Sequence, residues 1–179
     1  TAAPLNPAYK ADEFKFYLKD TNARALITSS RTGEEARRVA SPSILQIDAS
    51  MNADGEVSLS SSGKNGGERP AEEPAPEDVA LVLHTSGTTS RPKRVPLAHR
   101  NLTISAQNVA NTYQLSSEDV SLCVMPLFHV HGVVASTLST LLTGGTVIVP
   151  PRFNALNFWP VARDHRVTWF SAVPSMHQA

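Results

Sequence analysis

VALVLHTSGTTSRPKR, at residues 79–94, joins a continuous apolar run to a loop of hydroxyl, glycine and basic residues. Residues 79–84 are apolar on both faces of an extended chain up to His84, the pattern of a buried strand rather than a half-exposed one. TSGTTSRPKR, 85–94, then reads as a loop leaving that strand. Hydroxyls and backbone N–H groups at a glycine turn form a concave anion site, and Lys93 adds a full positive charge, so the chemistry suits a polyphosphate. A polar strand-to-helix turn, in which Ser and Thr only cap backbone groups, has the same composition.

Downstream, apolar runs recur as VSLCVMP at 120–126, TVIVPP at 146–151 and VTWFSAV at 167–173, which with 79–84 make four strand candidates. Helix-like segments separate them at about 98–112, 132–142 and 156–165, and Gly144-Gly145 supplies a stop after the second. Strands apolar on both faces, alternating with helices, predict an α/β fold: a mostly parallel sheet with flanking helices. Ligands of such sheets lie at the carboxyl ends of the strands, which directs attention to the residues after His84 and Met125.

Upstream, KADEFKFYLKD at 10–20 places Phe14, Tyr17 and Leu18 at helical spacing, while ARALITS at 23–29 and SILQID at 43–48 read as short strands. Residues 50–78 read as a flexible connector: Ser60 to Gly67 is polar and glycine-rich, and Pro70, Pro74 and Pro76 follow among acidic side chains, leaving little to bury. No internal repeat is visible. The 179 residues, 41% hydrophobic and 18% charged, suit one ordinary soluble domain with a closed core. With 16 basic and 16 acidic side chains the formal net charge is zero, which removes the electrostatic footprint of a nucleic-acid partner and favours a small-molecule ligand. The longest apolar stretches, 120–128 and 132–142, fall short of the ~20 residues a bilayer crossing needs, so no membrane span is expected. Cys123 is the single cysteine; it has no disulfide partner in the chain and cannot build a thiolate zinc site, which suits a reducing compartment. The chain opens on Thr1 without a signal-peptide pattern, and Pro174 to Ala179 read as the opening of a helix, so an internal fragment of a longer protein is expected.

The loop at 85–94 resembles the phosphate-loop signature TSGTTGxPKG of adenylate-forming enzymes, the group of acyl-CoA synthetases, luciferases and peptide-synthetase adenylation domains. Thr85, Ser86, Gly87, Thr88, Thr89, Pro92 and Lys93 keep the pattern, while Ser90 and Arg94 stand where glycine is usual. If the glycine matched by Arg94 needs positive φ, arginine is strained there. The loop is not a Walker A loop, since GxxxxGK[ST] occurs nowhere and Gly63-Lys64 is followed by Asn65. MPLFHVHG at 125–132 resembles the family's next motif, in which an aromatic residue or histidine, here His129, follows a core strand. The resemblance implies that His129 lies between the acyl pocket and the tunnel for the CoA arm. There it would gate the two half-reactions, as the catalytic candidate of this chain. It also implies that His131 contributes to the acyl pocket, where an imidazole suits a small, polar, anionic acid. Read without the family, the two histidines are a helix-entry pair or half of a metal site; no third ligand is near, so no protein-bound metal is expected.

HTSGTTSRPK, VPLAHRNL, PLFHVHG, FWP and SAVPSMHQ together look like the oxalate-CoA ligase subgroup of acyl-CoA synthetases. The implied fold is part of the family's N-terminal domain, spanning 1–179, with the C-terminal domain absent. The implied reaction has two steps: a small carboxylic acid attacks the α-phosphorus of ATP to give an acyl-adenylate and pyrophosphate, and the thiol of CoA then displaces AMP. Thr85, Ser86, Gly87, Thr88 and Thr89 would grip the phosphates, Lys93 would neutralise them and Pro92 would stiffen the loop. Magnesium would be held mostly by phosphates and water. The family's adenine-binding motif, ribose-binding Asp, hinge and catalytic lysine lie beyond the position matching Ala179, so the chain alone is expected to be inactive. Two alternatives stay open: an inert truncated fragment that binds phosphate weakly, or an adenylation domain that passes its acyl group to a carrier-protein thiol or to oxygen. Cytoplasm or peroxisome is the implied setting.

Overall fold

A computed structural model describes residues 1–29, 32–61, 72–85 and 92–178. The chain forms two compact units, Leu5–Glu73 and, drawn from both ends of the sequence, Thr1–Pro4 with Pro74–Ala179.

In the first unit, α1 (Ala11–Asp20) buries Phe14, Tyr17 and Leu18, the side chains whose spacing predicted it. Its start is held by the Glu13 carboxylate, which accepts the Lys10 N–H at 2.9 Å. Tyr9 stacks on Tyr17 with ring centroids 4.8 Å apart, and burial first, then the contact with Tyr9, pushes the Tyr17 phenol up to about 12. Next come β1 (Ala25–Ser29), α2 (Glu34–Val39) and β2 (Leu45–Met51). β1 and β2 pair in parallel, Ile27 opposite Ile47, with α2 as the crossover. Arg37 of α2 fastens the crossover, donating to Thr28 Oγ1 at 2.5 Å and Ser29 O at 3.1 Å and meeting Asp48 at 3.2 Å.

The connector expected at 50–78 is corrected here. β2 runs on to Met51, and Val57–Ser61 forms β3, antiparallel to β2 with Met51 opposite Val57. The Asn52 side chain accepts N–H groups from Asp54 at 3.0 Å and Glu56 at 2.8 Å, and Gly55 takes φ +85°, so Asn-Ala-Asp-Gly is a hairpin turn. The alternation Val57-Ser58-Leu59-Ser60 carries the strand period, but it adjoins a Ser/Gly-rich stretch whose composition dominated the reading. Residues 62–71 of that stretch lie outside the described residues.

In the second unit, β4 (Val79–Thr85) pairs antiparallel with β5 (Lys93–Ala98). Ala2 extends the pair in parallel, its N–H reaching Ala80 O at 2.8 Å and its carbonyl receiving the Val82 N–H at 2.8 Å. α3 (His99–Tyr113) follows β5 directly. A second sheet, in the order β7-β6-β8, is wholly parallel: β6 (Val120–Leu122), β7 (Thr146–Ile148) and β8 (Trp169–Phe170). Between β6 and β7 lie a π-helical segment, His131–Leu138, and α4 (Ser139–Leu142). α5 (Ala155–Asp164) joins β7 to β8, and α6 (Pro174–His177) follows β8. The α/β class stands, with three of the five strand pairings among the described residues parallel. The run at 79–84 is the exception, since it pairs with β5 rather than within the parallel sheet. β5 is an edge strand beside β4, which is why Pro96 can occupy it without breaking a ladder on the far side.

Alternate side chains of β6 and β8 serve opposite layers. Cys123 and Trp169 face the π segment and α3: the Cys123 sulfur lies 3.7 Å from Gly132 O, and Trp169 stacks on Tyr113 at 5.8 Å. Leu122 and Val124 face α5, as does Phe170, whose ring meets Phe158 edge-on at 4.8 Å. The helix expected at 132–142 therefore exists, but its first two turns are π-helical. Ser139 N–H bonds back to Val134 O, five residues earlier, and the hydroxyls of Ser139 and Thr140 take the carbonyls of Ala135 and Ser136. Hydroxyls bonding back to i−4 carbonyls compete with the α ladder, and the β-branched Val133, Val134 and Thr137 add little α preference.

Candidate functional site

The described ends of the segment expected as a loop from 85 to 94 belong to two paired strands. Thr85, last in β4, sits opposite Lys93, first in β5, and His84 opposite Arg94. Residues 86–91 lie outside the described residues, and with them Ser86, Gly87, Thr88, Thr89 and Ser90. The flanks are defined. Thr85, Lys93 and Arg94 are exposed and Pro92 is half-buried, so the Lys93 ammonium is held there without the cost of burying a charge. Arg94 lies within a regular antiparallel ladder and is not among the described residues with positive φ, which are Asn22, Gln114 and Arg166 outside the glycines. The strain expected from an arginine at this place is absent.

The base of the hairpin is tied to α3. His99 N–H donates to Asp78 O at 3.0 Å, Arg100 N–H donates to Pro76 O at 2.9 Å, and the Arg100 guanidinium meets Glu77 at 3.2 Å.

The two histidines lie at the carboxyl end of β6, where the parallel-sheet rule directs attention. They are not equivalent. His129 is exposed in the turn after β6, its N–H donating to Pro126 O at 3.1 Å and its ring 4.8 Å from that of Phe128. His131 opens the π segment, half-buried, and its Nε2 lies 2.7 Å from Ser171 Oγ, just past the end of β8. Directly after His131 the backbone is pressed against the strand exit. A Cβ on Gly132 would strike Pro126 O and come within 2.7 Å of Met125 O, so glycine is required by close approach. Cys123, 2% exposed, closes the inner side of the turn, its thiol donating to Met125 O at 3.4 Å and accepting from Thr137 Oγ1 at 3.7 Å.

Ser171 is the residue that sequence reasoning passed over. A polar side chain at the carboxyl end of an apolar parallel strand was the available signal, but nothing in the sequence pairs position 171 with position 131.

Two cavities flank α5, of about 300 Å³ and about 250 Å³. The first is bounded by Leu122, Val124, Arg152 and Phe153, and the second by Phe158, Trp159, Phe170 and His177. The first uses Leu122 of β6 and the second Phe170 of β8, side chains that point toward α5, so they lie across the sheet from Cys123 and Ser171. Neither His129 nor His131 lines them. Among the described residues no group of three or more His, Cys, Asp or Glu side chains could hold a metal ion, and no helix is long and apolar enough to cross a membrane.

Paired strands bracketing the Ser/Thr-rich stretch of the sequence, and histidines after a strand of a parallel sheet, define an α/β protein. The chain belongs to the AMP-binding enzyme family, whose profile matches residues 1–179. It is 46% identical, over 99% of its length, to the Humulus lupulus protein named "Probable CoA ligase CCL9", and 44% identical, again over 99%, to the oxalate–CoA ligase of Arabidopsis thaliana. It spans 35% and 36% of those two proteins, about a third of the length of the curated relatives it matches. In fold it superposes with a TM-score of 0.75 on the crystal structure of ATP-bound MatB from Rhodopseudomonas palustris, at 23% identity, covering 98% of this chain and 34% of that one. The N-terminal adenylate-forming fold expected from the sequence is thereby established.

Proposed function

We propose that these residues form the phosphate-gripping part of a longer AMP-forming acid-CoA ligase, which activates a small carboxylic acid with ATP and passes it to CoA, with oxalate as the candidate acid. The observation that carries this reading is the β4–β5 hairpin. It frames residues 86–91 between Thr85 and Lys93, the two described ends of a segment that keeps the family's phosphate pattern. The kinship to an oxalate–CoA ligase at 44% identity supports the choice of acid.

In the proposed first step a carboxylate oxygen attacks the α-phosphorus, a new O–P bond forms, and the bond to pyrophosphate breaks. Lys93, with Thr85, Ser86, Gly87, Thr88 and Thr89, would hold the β- and γ-phosphates and so stabilise the charge that gathers on the leaving pyrophosphate. Magnesium, carried by the phosphates and water, needs no acidic cluster from this part of the chain. In the second step the CoA sulfur attacks the acyl carbon and AMP departs. His129, exposed beside the strand exit, is proposed as the gate between the two steps, and His131 as a side chain of the acyl pocket. A reducing setting, cytoplasm or peroxisome, suits the buried thiol of Cys123.

The test is carboxylate-dependent exchange of pyrophosphate into ATP by the full-length enzyme. Lys93→Ala removes a charge-assisted contact of about 1.5–3 kcal/mol and should slow exchange by roughly tenfold or more. An undiminished rate would make the hairpin head only a turn.

A further inference from the structure

The contact between His131 and Ser171 joins two parts of the chain that the sequence keeps forty residues apart. β6 and β8 are parallel neighbours, Leu122 opposite Phe170, so their carboxyl ends emerge side by side. Ser171, the first residue beyond β8, points to the same side as Trp169, toward the helix layer that His131 enters. The ring of His131 is thus fixed twice: its backbone by the close approach of Gly132 to the Met125 and Pro126 carbonyls, and its Nε2 by the Ser171 hydroxyl at 2.7 Å. Its other nitrogen, Nδ1, has no partner among the described residues.

A neutral imidazole has one donor and one acceptor nitrogen, and a serine hydroxyl can serve either. The hydrogen bond at one nitrogen sets what the other can do. We infer that Ser171 is a positioning residue for acyl-acid selection: its hydroxyl donates to His131 Nε2, holds the ring in the Nδ1–H tautomer, and so turns a hydrogen-bond donor toward an anionic acyl substrate. This rests on the reading of His131 as part of the acyl pocket. With Nε2 released, the ring would sample both tautomers and rotate, and the acceptor form would meet a carboxylate with the wrong polarity. Small dicarboxylates would lose most, because a site built around a polar partner penalises the substrate that needs it, while an apolar acid makes no use of the donor.

The experiment uses the full-length enzyme with oxalate and a medium-chain acid as probes, in wild type, Ser171→Ala, Ser171→Thr and His131→Ala, together with ¹⁵N-histidine NMR assigned by the peak lost in His131→Ala. Ser171→Ala should raise KM for oxalate about three- to tenfold while kcat stays within about twofold, leave the medium-chain acid unchanged, and shift the His131 ¹⁵N pair from one tautomer toward the average of two. Ser171→Thr, which keeps the hydroxyl, should restore both readouts. If His131→Ala raises KM for oxalate but Ser171→Ala alters neither KM nor the ¹⁵N pattern, the inference fails and the acyl-pocket reading stands. Equal losses for both acids in Ser171→Ala, with the ¹⁵N pattern unmoved, would reduce Ser171 to a packing role and also overturn it. An unchanged KM in His131→Ala would remove the acyl-pocket reading itself, and this inference with it.

Discussion

Asp119 shows how much a single side chain can organise at the edge of the parallel sheet. Its carboxylate accepts the Thr168 hydroxyl at 2.8 Å and the Ser116 N–H at 2.8 Å, while Thr168 Oγ1 in turn accepts the Val120 N–H at 3.0 Å. The starts of β6 and β8 are thereby laced together. These bonds, with the Thr168 hydroxyl foremost, hold the Asp119 carboxyl below its usual value. A lowered folded-state value means that the folded form prefers the ionised group. The resulting stability is complete above the unfolded value of about 3.9 and is lost as pH falls through the lower folded value. Asp119→Asn should therefore lower Tm at neutral pH and flatten its decline on the acid side of about pH 4. Parallel Tm-against-pH curves for the two proteins would remove Asp119 from this role. The side chains at the strand exits differ in how far a sequence reveals them. His129 and His131 stood out as polar residues after an apolar run, whereas Ser171 acquires meaning only from its neighbour across the sheet.

Among the secondary elements, those with a strong period were legible. α1, α3 and α5 lie within a few residues of their expected bounds, and the apolar runs at 120–126, 146–151 and 167–173 all contain strands, though β6, β7 and β8 are shorter than the runs. Each run continues past its regular ladder: Cys123 and Val124 follow β6 as buried chain, Cys123 N–H still donating to Ile148 O at 2.9 Å, whereas Val149 and Pro151 after β7 are exposed. The hairpins were not legible. β3 was hidden beside a polar stretch, and β5 was hidden by Pro96 and by two basic residues at its start. The position of Arg94 inside β5 changes what its replacement should do. Because the arginine is unstrained in an antiparallel ladder, Arg94→Gly should leave pyrophosphate exchange in the full-length enzyme within about twofold. It should also cost roughly 0.5–1 kcal/mol of stability through the backbone freedom of glycine. A large fall in exchange at unchanged Tm would instead make Arg94 a phosphate ligand.

Across the molecule, the apolar surface is unevenly covered. On the sheet of the first unit, Ile27, Leu45, Met51, Val57 and Leu59 share one face through their registers, and Ile27, Met51, Val57 and Leu59 are each more than half exposed. In the second unit Leu156 and Trp159 project from α5, 87% and 64% exposed. Contiguous apolar faces of this kind, beside strand edges, drive association in water. The 179-residue chain by itself should therefore sediment as a mixture of associated species, and placing Lys at positions 57 and 59 should shift it toward monomer. A monodisperse wild-type monomer with one sharp melting transition would contradict this.

The sequence by itself determined the class of fold, the phosphate-loop kinship and the two histidines. Each is written in local order: apolar period, turn chemistry, and residue types at fixed short spacing. Tertiary structure decided which strands pair, that Thr85 and Lys93 on either side of the phosphate segment face each other across an antiparallel ladder, and that Ser171 meets His131. Those outcomes depend on which distant segments become neighbours, and a strand's period marks the face it buries without marking its partner. Residue 171 reaches residue 131 because two parallel strands end together, a juxtaposition set by the packing of the whole sheet and absent from any window of the chain.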